Sequence, residues 1–234
     1  MDKEALFAQL LADGLVDEAD RVFWDLLTPQ RIQRMLEVLS QRTSHITVVL
    51  EAVDDGHNQA AVLRSAEAFG VQEIGIIVGR APFAPSEGVT QGAHKWLTLR
   101  RYPDIRAAVS ALRERGYRIW ASRLDEQAVP VDRIDLSQPA AFLFGNEHEG
   151  LSEDALALAD STFIVPMVGF VESLNISVAA AITLFHTTRR ARAELGERYF
   201  LTQAERRQIL RRWLRTATPS VRRLHQILQR EGSN

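Results

Sequence analysis

In a chain of 234 residues, three polar clusters carry groups able to bind and orient a polar ligand. The first is Asn58-Gln59-Ala60-Ala61-Val62-Leu63-Arg64. The second is Leu143-Phe144-Gly145-Asn146-Glu147-His148-Glu149-Gly150-Leu151-Ser152, and the third runs from Ile164-Val165-Pro166-Met167 through Gly169 to Ser173-Leu174-Asn175-Ile176-Ser177. Each has an ordinary structural use. Asn58, Ser173 and Asn175 can cap helices, Arg64 can pair with a surface acid, and Gly145 and Gly150 can supply positive φ in a tight turn. Other chemistries fall away. There is no GxGxxG after the first strand and no GxxxxGK[ST], hence no dinucleotide fingerprint and no P-loop. HExxH and GxSxG are missing, and His45, His57, His94, His148, His186 and His225 lack ligand spacing, so no metal is expected. With zero cysteines, thiol nucleophiles, disulfides and thiolate metal sites are excluded.

The elements that position these clusters follow from hydrophobic texture. Short, nearly continuous apolar runs at Ile46–Leu50, Glu73–Val78, Tyr117–Ala121, Ala140–Phe144 and Thr162–Val165 read as strands. Between them, 58–69, 103–115 and 152–159 read as helices, and a longer helix over 175–194 carries Leu174, Val178, Ile182 and Phe185 on one stripe. Continuous apolar strands alternating with helices predict an α/β fold, a mostly parallel sheet with helices on both faces. All three polar clusters then lie at strand ends, where open α/β sheets bind ligands. The α/β region spans 44–195, between a helical N-terminal extension (1–43) and a C-terminal helical arm (196–234). Thr28-Pro29 starts a helix carrying Ile32, Met35, Leu36 and Leu39. Thr202 and Glu205 form a capping box ahead of Ile209, Leu210, Trp213 and Leu214, and Thr218-Pro219 starts a second tail helix with Val221, Leu224 and Leu228.

Composition sets the setting. With 46% hydrophobic and 25% charged residues the chain is neither disordered nor fibrous. No apolar run reaches membrane-spanning length and the N-terminus is too charged for a secretory signal, so a soluble, cytoplasmic protein with no membrane partner is expected. The net charge of −2 hides an asymmetry: residues 186–234 hold 12 Arg against 4 Glu. That tail predicts a polyanionic partner.

Taken together, in this order and spacing, the three clusters resemble the three motifs of the SPOUT superfamily of RNA methyltransferases, specifically the SpoU/TrmH branch of ribose 2′-O-methyltransferases. The Asn58-to-Arg64 helix is similar to its first motif, LFGNEHEGLS to its second, and IVPMVGFVESLNISVAAA to its third. The likeness runs from about residue 29 to 195, and Gly92-Ala93-His94-Lys95-Trp96 resembles the tRNA guanosine-18 branch.

The resemblance implies a C-terminal trefoil knot, S-adenosyl-L-methionine as cofactor, and a homodimer whose active sites draw on both subunits. It implies Arg64 as the catalytic residue, with Asn58, Glu147, Ser173 and Asn175 holding the site, and Ser122, Gly145, Val165, Pro166, Met167 and Leu174 around the cofactor. An apolar slot with a few main-chain hydrogen bonds suits adenine. Arginine, with a pKa above about 12, is poorly matched to act as a base, so the expected role is electrostatic stabilisation of a developing alkoxide. The substrate implied is tRNA, methylated at guanosine 18 of the D-loop. The alternatives are an rRNA or another tRNA nucleotide, a non-catalytic RNA-binding protein on the same fold, and a DNA-binding regulator built around helices 202–230. Arg206, Arg207, Arg211, Arg212, Arg215, Arg222 and Arg223, with Lys95, are the expected RNA contacts. Two departures bear on the substrate: Asp54-Asp55-Gly56-His57 stands where close tRNA relatives commonly carry Lys-Pro-His, and Gly145-Asn146-Glu147 is a form shared with SPOUT enzymes acting on other RNAs.

Overall fold

The computed structural model describes residues 2–218, which belong to two compact units: one from the described parts of 1–41 and 201–234, the other from 42–200. The first unit begins with α1 (Lys3–Ala12), α2 (Arg21–Asp25) and α3 (Pro29–Ser40). As the sequence predicts, Thr28 caps α3 by accepting from the Arg31 amide, with proline in the first turn.

The second unit runs β1 (Ile46–Glu51), α4 (Gly56–Ala68), β2 (Glu73–Ile77), α5 (Glu87–Thr90), β3 (Thr98–Tyr102), α6 (Ile105–Glu114), β4 (Arg118–Ser122), β5 (Val129–Pro130), β6 (Ala140–Phe144), α7 (Glu153–Leu158), β7 (Ser161–Ile164) and α8 (Ile176–Leu195). Among the described residues, seven strands form one sheet in the order β3-β2-β1-β6-β4-β7-β5. Every pairing in it is parallel, with Val48 of β1 beside Ile74 on one side and Phe142 on the other. The all-apolar central strands are explained by cores on both faces. Ile46, Val48, Leu50, Phe142 and Phe144 pack with Val62, Leu63 and Ala66 of α4 and Ala180 and Leu184 of α8. The intervening Val49, Ala141 and Leu143 pack with Ile105, Val109 and Leu112 of α6 and Ala155 of α7.

Three local readings need correction. The edge strand β3 was not predicted, because Arg100 and Arg101 in Thr98–Tyr102 break the apolar texture and one side of an edge strand faces solvent. Helix α4 starts at Gly56, capped by Asp55 accepting from the His57 amide, which frees Asn58 from capping. On α8 the buried face is Ala180, Thr183, Leu184, Thr187, Thr188 and Ala191. The hydroxyls of Thr183, Thr187 and Thr188 donate to carbonyls one turn back at 2.6–2.8 Å, so they are satisfied within the helix while its small face lies close to the sheet. The apolar stripe is left outward, with Val178 and Phe185 exposed and Leu174 and Ile182 half-buried.

Helix α9 (Gln203–Ala217) completes the first unit, opened by the expected Thr202–Glu205 capping box and burying Ile209, Leu210, Trp213 and Leu214. Here the acidic N-terminal segment acquires a role. The Arg211 guanidinium lies 2.8 Å from Asp17 and 2.9 Å from Asp20, which is fully buried, and Arg207 is 3.8 Å from Asp17. Arg215 stacks over the Phe23 ring at 5.6 Å. Burial pushes the Arg212 guanidinium below its usual pKa, and the Arg206 Nε is buried. Arg206, Arg211 and Arg212 are thus built into the unit more deeply than a solvated basic face would be, while Arg207 and Arg215 stay exposed; Arg211 in particular is engaged by carboxylates rather than free for phosphate. Arg211→Ala would leave Asp20 buried without its cation, and is expected to destabilise this unit by about 3 kcal/mol in thermal unfolding. Arg222, Arg223 and the helix predicted after Pro219 lie outside the described residues.

Candidate active site at the carboxyl edge of the sheet

Strands β6, β4 and β7 are consecutive in the sheet, and their carboxyl ends bring Gly145, Ser122 and Val165 to one edge. The first turn of α4 and the N-terminus of α8 converge on that edge through side chains. Asn58, buried, donates from Nδ2 to Glu147 Oε1 at 2.9 Å, and Asn175 donates from Nδ2 to Asn58 Oδ1 at 3.1 Å. Asn175 is also the N-cap of α8: its Oδ1 accepts from the Ser177 amide at 2.8 Å and the Ser177 hydroxyl at 2.6 Å. With that oxygen occupied, the Asn175 NH2 faces Asn58, which in turn must offer its own NH2 to Glu147. The helix cap therefore fixes the direction of a relay that joins all three clusters.

The loop carrying Glu147 is held on both sides. Asn146 and Gly150 exchange main-chain hydrogen bonds at 2.9 Å each, and the Asn146 Oδ1 accepts from the amides of His148 and Glu149 at 2.9 and 3.2 Å. The Asn146 Nδ2 reaches the Ala52 carbonyl at 2.8 Å. Gly145 has a different role from the one its type suggests. Gly150 has φ +72°, but Gly145 is required because a Cβ there would lie 2.1 Å from the Gly150 carbonyl carbon.

The other expected residues lie outside the relay. Arg64 is exposed on α4, six residues and therefore about 120° around the helix from Asn58, with Nη1 donating to the Val89 carbonyl at 3.5 Å. Ser173 and Lys95 are exposed. Two residues the sequence reading passed over matter to the site. Gln59, buried, donates to the Val53 carbonyl at 2.7 Å and accepts from the Ala84 amide at 3.0 Å, stitching the 81–90 segment to α4. Glu51, the last residue of β1, is buried against Ser152. A carboxylate closing a nearly continuous apolar, buried strand was the available signal for it.

The third cluster is suited to a nucleoside ligand. Val165 and Ile176 pack against the core, while Met167 and Leu174 are half-buried beside them and Pro166 is exposed. Among the described residues, 166–174 make no hydrogen bond, so their main-chain donors and acceptors are available next to apolar side chains. Val168 and Phe170 are fully exposed. No group of three or more His, Cys, Asp or Glu among the described residues is placed to hold a metal ion, and no described helix is long and apolar enough to cross a membrane.

Comparison with known proteins agrees with this geometry. Residues 45–185 match the model of the SpoU rRNA methylase family. The chain is 41% identical over 189 residues to a tRNA (guanosine(18)-2′-O)-methyltransferase of Thermus thermophilus, covering 80% of this chain and 97% of that protein. The crystal structure of the Aquifex aeolicus TrmH/SpoU tRNA modifying enzyme superposes with a TM-score of 0.74 at 31% identity, covering 82% of this chain and 98% of that one. The SpoU methyltransferase AviRb of Streptomyces viridochromogenes, solved with the cofactor AdoMet, gives a TM-score of 0.58 at 27% identity over 68% of this chain and 65% of that one.

Proposed function

Because the chain belongs to the SpoU methylase family, we propose that it methylates the ribose 2′-hydroxyl of guanosine 18 in tRNA, with S-adenosylmethionine as donor and in the cytoplasm. The observation that carries the reading is the relay from Ser177 through Asn175 and Asn58 to Glu147, which draws the three motifs to one sheet edge. Relatives named for this reaction, similar along most of their length, supply the nucleotide. The trefoil knot belongs to the same reading. It is supported by the place of β6 between β1 and β4 in the sheet and by the likeness to TrmH/SpoU structures.

When bound, S-adenosylmethionine supplies a sulfonium-activated methyl group. Ser122, Gly145, Val165, Pro166, Met167 and Leu174 would hold it, offering an apolar slot with main-chain hydrogen-bonding groups, which suits adenine. Asn58, Glu147, Ser173 and Asn175 orient the acceptor nucleotide. Arg64 stabilises the alkoxide charge that grows on the 2′-oxygen and grips the neighbouring phosphate bidentately. Lys95 and the exposed Arg207 and Arg215 contribute to the RNA grip, whereas Arg211 serves Asp17 and Asp20.

The working unit in this proposal is a homodimer. Its support is the outward stripe of α8, where Val178 and Phe185 are exposed, together with the exposed Val168, Phe170 and Val171 of the loop before that helix. Exposed large apolar side chains in such number suit an interface. Val178→Asp, on the outward stripe of α8, is expected to yield a folded monomer by light scattering, with a lower melting temperature that no longer depends on protein concentration and with lost turnover. The function itself is tested by methyl transfer from labelled S-adenosylmethionine to unmodified tRNA and rRNA, with the 2′-O-methyl mapped. Label on rRNA alone, or at another tRNA nucleotide, would overturn the guanosine-18 assignment; binding of RNA without transfer would overturn the enzymatic reading.

A further inference from the structure

We propose that Glu51 is a positioning residue for the reaction, fixing through Ser152 the loop that carries Glu147 and Gly145; the proposal rests on the methyltransferase reading above. Glu51 ends the central strand β1 and is buried at 8% exposure. Both its carboxylate oxygens are spent on one residue 101 positions away: Oε2 accepts from the Ser152 amide at 2.9 Å and Oε1 from the Ser152 hydroxyl at 2.7 Å. Among the described residues no cation pairs with it. A buried carboxylate without a counter-charge is costly, and an aliphatic side chain would end this strand at less expense. What the carboxylate contributes is the anchor.

The next residue makes the second half of the clasp. Ala52 is held at φ +53°, a conformation rare for a residue with a Cβ, and its carbonyl accepts from the Asn146 side-chain Nδ2. The turn fits only because residue 79 is glycine, where a Cβ would sit 2.6 Å from that of Ala52. Thus Glu51 and Ala52, adjacent in sequence, hold the loop near its two ends, at Ser152 and at Asn146, with Glu147 between them facing Asn58. Backbone strain kept at this point is explained if the aim of the loop matters.

Release of one anchor should move Glu147 and Gly145 without unfolding the sheet. Shifts of about 1 Å at a catalytic group cost up to about 100-fold in rate. In Glu51→Gln, the amide sets a donor against one of the two Ser152 donors. The expected result is turnover lowered about tenfold or more, with KM for tRNA within about twofold of wild type. Two readouts need no RNA: affinity for S-adenosylhomocysteine by calorimetry, expected to fall about threefold or more, and amide hydrogen exchange, expected to rise across 146–152 and not in β1 or β6. These keep the proposal separate from the substrate assignment, since a wild-type enzyme inactive on tRNA would overturn that assignment while leaving both readouts to judge Glu51.

Ser152→Ala should reproduce the effect and Ser152→Thr, which keeps both donors, should restore it. The double variant Glu51→Gln/Ser152→Ala should be no worse than the poorer single one, because the capping loss at Ser152 is common to both arms of the cycle. Ser152 is exposed, so its variants report even if Glu51→Gln fails to fold. Unchanged exchange and inhibitor affinity in the single variants, losses that multiply in the double variant, or exchange rising throughout the sheet would each overturn the proposal.

Discussion

Arg64→Ala is expected to lower turnover about a thousandfold while leaving affinity for S-adenosylmethionine within about twofold. The size follows from the role: removing one fixed donor from a developing oxyanion costs about 10²–10³ in rate, and a guanidinium provides charge as well as two parallel donors. Selectivity follows from where the residue sits. Helix α4 is held in the fold by Asn58, Gln59, Ala60, Val62, Leu63 and Ala66, all buried, while Arg64 is exposed and its described hydrogen bond is a long one to the Val89 carbonyl. Truncating it removes no packing, so the melting temperature should stay close to wild type. The proposed cofactor residues are at the carboxyl ends of β4, β6 and β7 and in the loop before α8, none of them on α4. Arg64→Lys should fail almost as badly, because a point charge on a flexible stem cannot reproduce the planar fork. Single-turnover kinetics with saturating cofactor, beside direct binding, separates the two quantities. Turnover within a few-fold of wild type in Arg64→Ala would remove the guanidinium from the chemistry.

What could be read from the sequence divides along a physical line. Strands such as Ile46–Glu51 and Ala140–Phe144 are covered on both faces, so burial writes a continuous apolar run that needs no partner to be recognised. Helix starts at Thr28, Ser152 and Thr202 are local chemistry and stand as predicted. Features set by what lies opposite were not legible. The α8 stripe reads as a core face from its residue types, yet the sheet takes the alanine and threonine side, because threonine hydroxyls satisfied one turn back allow a closer approach than bulky side chains would. The acidic segment before residue 28 has no local signature of purpose until Asp17 and Asp20 are seen around Arg211. At the site, the motif resemblance named Asn58, Glu147 and Asn175, but the direction of their hydrogen bonds depends on the cap at Ser177, and Glu51 is coupled to a residue 101 positions on. Long-range hydrogen bonds of this kind have no periodicity to betray them.

Gly145→Ala is expected to cost about 3 kcal/mol or more of stability and, in whatever protein still folds, to abolish cofactor binding. The cost is steric rather than conformational, since Gly150 has a positive φ and Gly145 does not. The added Cβ would stand 2.1 Å from the Gly150 carbonyl carbon, 2.2 Å from its oxygen and 2.3 Å from the Leu151 nitrogen. All three are main-chain atoms, and no rotamer change can move them aside. They are also pinned, by the paired hydrogen bonds between Asn146 and Gly150 and by Glu51 at Ser152. Room for a methyl group therefore has to come from opening the loop, which breaks those bonds together and takes Glu147 away from Asn58. Gly169→Ala is the control: its Cβ would meet nothing within 4 Å, so the same change in residue type should leave both melting temperature and binding near wild type. Thermal unfolding and calorimetric titration of the two variants side by side decide the matter. If Gly145→Ala melted and bound like Gly169→Ala, the loop could not be closed on residue 145 as tightly as described, and the case for a cofactor-holding edge built on that loop would lose its steric footing.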